Sequence, residues 1–83
     1  MPNPYSEMTN EEIAKETDLL KSAIYESNAM LRILGHLSAS PDVNISSRAK
    51  IAYSALVELK DQAITSKAHA NQQMIQNFNE MTE

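Results

Sequence analysis

The side chains that could recruit chemistry are few: His36, His69 and a serine-rich basic cluster between residues 32 and 50. Neither histidine has a second histidine or a carboxylate three or four residues away, the spacing that sets metal ligands on one helix face. There is no cysteine, so thiolate ligands, a thiol nucleophile and disulfides are all excluded. Glycine-rich phosphate loops, a nucleophile elbow and a pocket of paired carboxylates are also missing. No catalytic residue, metal site or cofactor is expected, and the chain reads as a non-enzyme. The basic cluster is the remaining candidate. Arg32, His36, Arg48 and Lys50 lie near Ser46 and Ser47, where a second helix starts. Free backbone N–H groups at such a start, with hydroxyls and cations beside them, can hold a phosphate or carboxylate. The same serines would serve equally as helix caps.

Eighty-three residues with one Gly, three Pro and one Phe make one small domain with a thin core. The abundant residues are helix formers, which predicts an all-α chain. A chain that begins Met-Pro-Asn-Pro and has no long apolar run is expected to lack a signal peptide and a membrane span, and to be cytoplasmic. The formal charge is −4, concentrated in residues 1–18, where Glu7, Glu11, Glu12, Glu16 and Asp18 face only Lys15. An acidic chain with no evident basic face is not expected to bind nucleic acid.

These groups must be positioned by two helices. Thr9 with Glu12 forms a capping box, and Met8 and Ile13 occupy the staple positions around it. From there Ile13, Thr17, Leu20, Ile24, Ser27, Leu31 and Leu34 recur at alternating steps of four and three, the heptad spacing of a packed seam. The reading is an irregular lead at 1–8, a first helix at 9–37, a turn at 38–44, a second helix at 45–78 and a frayed tail at 79–83. Gly35 is an alternative C-cap for the first helix. Pro41 closes the turn, with Asp42, Asn44 and Ser46 competing as caps for the second helix. The second stripe runs Ile45, Ala49, Ala52, Leu56, Leu59, Ala63, Ser66, Ala70, Met74.

A short turn makes the pair an antiparallel hairpin, with facing residue numbers adding to about 82. Ile13 then lies opposite His69, and the second helix is unpartnered beyond about Asn71. Two helices cannot hide stripes this wide. Leu19, Met30, Ile33 and Leu37 on the first, with Tyr53, Val57 and Ile64 on the second, remain as a wet apolar strip. That strip predicts a homo-oligomer, a four-helix bundle or a larger helical assembly. Met74, Ile75 and Phe78 form a further stripe on the overhang, which a protein partner covers, the lead folds over, or the tail leaves frayed.

Two resemblances follow from short motifs. Met74-Ile75-Gln76-Asn77-Phe78, with a Pro-containing turn, resembles the ending of type III secretion needle subunits, which implies an assembly subunit. The chain departs from that pattern in running five residues past Phe78 and in having a single Pro in its turn. Tyr5-Ser6-Glu7-Met8-Thr9, followed by Glu12-Ile13, looks like the start of small phage proteins that sequester cyclic nucleotides as helical oligomers. That likeness implies a bound phosphorylated ligand, although the expected lysine falls at Leu20-Lys21. The leading expectation is a non-enzymatic hairpin acting by self-association and binding, as adaptor, inhibitor, chaperone or assembly subunit. Sequestration of a small anionic ligand is the alternative.

Overall fold

The computed structural model describes residues 3–82; Met1, Pro2 and Glu83 lie outside the described residues. Two helices, α1 at Asn10–Leu37 and α2 at Val43–Thr82, pack as an antiparallel hairpin. The molecule is a rod of 62 × 23 × 13 Å, its length set by the 40 residues of α2 at about 1.5 Å each. Its radius of gyration is 17.4 Å, against about 12 Å for a compact domain of this length.

α1 starts as its sequence requires. The Thr9 hydroxyl accepts from the Glu12 N–H at 3.3 Å, and the Glu12 carboxylate accepts from the Thr9 N–H at 3.0 Å. That backbone bond, then the Thr9 hydroxyl, then the nearby Lys15 hold the Glu12 carboxyl below its ordinary 4.5. Gly35 is not a C-cap; it stays helical, and a Cβ there would meet Tyr53 at an ordinary 3.8 Å. The carbonyls of the last turn are closed by right-handed backbone instead. Ser38 N–H donates to Leu34, Ala39 to His36 and Ser40 to Leu37. These turns carry the chain further along the α1 axis before Pro41 reverses it. Facing residues add to about 86 rather than 82: Asn10 bonds to the Met74 carbonyl and to Asn77, and Gly35 lies beside Tyr53.

The α1 seam is the expected one. Ile13 and Thr17 are buried, and Leu20, Ile24, Ser27, Leu31 and Leu34 are half-buried. The α2 seam differs in its middle. Leu59 is 60% exposed, whereas Lys60 and Lys67 are half-buried, because the seam follows Ala49, Leu56, Ala63 and Ala70 and turns its edge toward the lysine row. Long lysine stems can line such an edge while their ammonium groups reach water. α2 begins at Val43 and continues through Thr82; Glu83, the last residue of the expected tail, lies outside the described residues.

The four-residue change in register provides partners for the far end of α2. Asn10 Nδ2 donates to the Met74 carbonyl, and Asn77 Nδ2 donates to the Met8 carbonyl at 3.2 Å and to Asn10 Oδ1 at 3.0 Å. Buried Gln73 donates to Asn77 Oδ1 at 2.8 Å. Residues 3–8 of the lead fold back along α2 as two tight turns, anchored where Asn3 Nδ2 donates to the His69 carbonyl at 2.8 Å. This polar clasp corrects the expectation of an overhang unpartnered beyond Asn71.

Within the seam, the Ser27 hydroxyl donates back to the Ala23 carbonyl, but the Thr17 hydroxyl is buried without a hydrogen-bond partner. Stranding a hydroxyl costs about 1–3 kcal/mol. Thr17→Val, nearly the same shape, is expected to stabilise the protein by about 1 kcal/mol in a urea titration. An unchanged or lower midpoint would mean that the hydroxyl has a partner after all.

Candidate interaction surfaces

The six residues of the basic cluster do not converge. Arg48 borders an apolar groove lined by Leu34, Leu37, Ile45, Ala49 and Ala52, on one flank of the seam. Lys50 lines a different groove, with Gly35, Ser38, Tyr53 and Ser54, on the opposite flank. By helical spacing, Arg32 falls on the Lys50 side, while His36 and Ser47 fall opposite the seam. The Ser46 hydroxyl donates to the Val43 carbonyl. The start of α2 is occupied by its own cap: Asp42 Oδ1 accepts from the N–H groups of Asn44 at 2.9 Å and Ile45 at 3.4 Å. A carboxylate already sits where an anionic ligand would bind. Among the described residues, no group of three or more His, Cys, Asp or Glu could hold a metal, and no helix is long and apolar enough to cross a membrane.

The apolar residues do organise into rows. Leu19, Met30, Ile33 and Leu37 are all exposed, as are Tyr53 and Ile64; Val57 is half-buried. They form two strips, not one. Met30 and Leu37 border the grooves that also hold Leu56 and Ala52, so the α1 row lies on the Arg48 flank. Tyr53 packs over Gly35 on the other flank. Lys60 and Lys67 follow Tyr53 at seven-residue steps, and Val57 and Ile64 follow Lys50 likewise. Near the far end, Met74 is half-buried within the clasp region, leaving Ile75, Phe78 and Met81 exposed.

Charge is divided between the same flanks. Lys21 stands fourteen residues before Gly35 on its helix row, and Arg32 stands one turn before it. Lys21, Arg32, Lys50, Lys60 and Lys67 therefore share one side, five of the seven cations in an acidic chain. Asp61, four residues after Val57 and three before Ile64, stands on this side with them. The hidden signal was the seven-residue step from Tyr53 to Lys60 to Lys67, legible only once the seam direction is known. Glu12, Glu16 and Glu26 take the α1-row side. Compared with known protein families, curated proteins and solved structures, the chain matches none.

Proposed function

We propose that this chain is a non-enzymatic, self-associating hairpin that acts through protein contacts, its copies joined in a four-helix bundle or a larger helical assembly. Assembly subunit is the leading role, with adaptor, inhibitor or chaperone as variants of the same contact chemistry. One observation carries this reading: fourteen large apolar residues are exposed, while the buried apolar core among the described residues is Ile13, Ala49 and Ala70. The chain exposes 6324 Å², whereas a compact monomer of 9.3 kDa exposes about 5,000 Å². The excess is larger than the roughly 800 Å² that each partner commits to a standard interface. Heptad spacing of the exposed rows favours another helix as the occupant. Ile75, Phe78 and Met81 remain as a separate contact for a different protein. The dispersal of the basic cluster gives the anion-sequestering alternative no comparable support.

Light scattering coupled to gel filtration tests the proposal. The expected mass at micromolar concentration is a multiple of 9.3 kDa, falling on dilution. A folded monomer that persists at high micromolar concentration would sink it.

A further inference from the structure

Building on self-association, we infer that the copies join with the α1 row of one chain laid on the α2 row of the next. Inside one hairpin, α1 and α2 face each other antiparallel with residue numbers adding to about 86, as the Asn10–Asn77 bond and the Gly35–Tyr53 approach show. The exposed rows repeat that register. Ala23 falls opposite Ile64 of the next copy, Glu26 opposite Lys60, Met30 opposite Val57 and Ile33 opposite Tyr53, each pair adding to 86 or 87. A small residue meets a β-branched one, apolar meets apolar, and the one acid in this stretch of the α1 row meets the one cation in the matching stretch of the α2 row. The intermolecular pair thus reuses the packing that already joins the two helices of one chain.

Charge selects this pairing over the two-fold alternatives. Two α1 rows laid antiparallel on each other bring both Glu26 carboxylates near the axis. Two α2 rows set Lys50 beside Lys67. The α1-on-α2 arrangement instead places the flank of Glu12, Glu16 and Glu26, which also holds Lys15 and Arg48, against the flank holding the other five cations and Asp61. Because the two rows lie on opposite sides of the hairpin, the contact does not satisfy itself after two copies. Each end copy keeps one bare row, so addition continues until rotation closes a ring or a filament grows.

The chain has no cysteine, which makes cross-linking clean. Ala23→Cys and Ile64→Cys both replace exposed residues outside the seam. Under mild oxidation, each variant alone is expected to stay uncross-linked, a mixture of the two to form disulfide-linked dimers, and the double variant to give a ladder of dimers, trimers and longer species. Glu26→Lys is expected to raise the concentration for half-assembly about tenfold, and adding Lys60→Glu to the same chain should restore it. If the protein assembles but each single-cysteine variant links to itself, the row-on-row pairing is overturned while self-association stands. Assembly that the charge swap fails to rescue overturns the pairing in the same way. A monomer in the light-scattering measurement overturns both.

Discussion

Ile13→Ala is expected to remove cooperative folding of the isolated hairpin, or to lower its melting temperature by more than about 10 °C in a circular-dichroism melt. Among the described residues, Ile13 is the one large side chain that is fully buried, at 0% exposure, on the seam of α1. Truncating a buried Ile costs about 2–5 kcal/mol in lost transfer energy and residual cavity. A core of this size supplies only about 3–5 kcal/mol in total. The deletion therefore consumes most of what holds one chain folded. Ile51→Ala, at a position 72% exposed, is the control, with an expected change below about 0.5 kcal/mol. Should Ile13→Ala melt within a few degrees of the parent, the decisive burial would have to lie between copies instead of within one.

The second large effect is expected at Asn77. Its amide donates to the Met8 carbonyl and to Asn10 Oδ1 and accepts from Gln73, joining the lead, α1 and α2 at one point. Asn77→Leu keeps the volume but removes these bonds and strands their partners, Gln73 among them in a buried position. At about 1 kcal/mol per net bond, the loss is about 2–3 kcal/mol. Its location is as diagnostic as its size. Amide exchange should accelerate in the lead and the first turn of α1, while the turn between the helices keeps its protection. Uniform acceleration along the chain would instead mean that the clasp is not a separate cooperative unit.

The parts of the fold written in local chemistry were legible in advance. The capping box at Thr9 and Glu12, the four-three seam from Ile13 to Leu34 and the Pro41 reversal depend on near neighbours, so spacing and residue type suffice to find them. Register was not local. It rested on how far Ser38, Ala39 and Ser40 prolong the α1 axis, and an error of four residues there made the end of α2 look bare. The asparagines and glutamine of the clasp read as plain polarity, because an amide reveals its partners only when the opposite helix is in place. Leu59 and Lys60 exchanged places for a related reason. Adjacent residues differ by about 100° around a helix, so a modest rotation of the seam decides which one faces the partner. Exposed apolar rows were legible from spacing, but their division into two flanks required the sidedness that Tyr53 over Gly35 supplies.

The one-sided placement of five cations changes how the bulk isoelectric point of about 5.0 should be read. That value assigns the protein to anion-exchange resins, yet a polyanionic surface samples a local strip and not an average. If copies stack row on row as proposed, interior strips would be covered and only the terminal copy would present one. Retention on a sulfonated resin would then count free ends, and it would fall per unit mass as assemblies lengthen. An acidic protein would in this way carry its own end label.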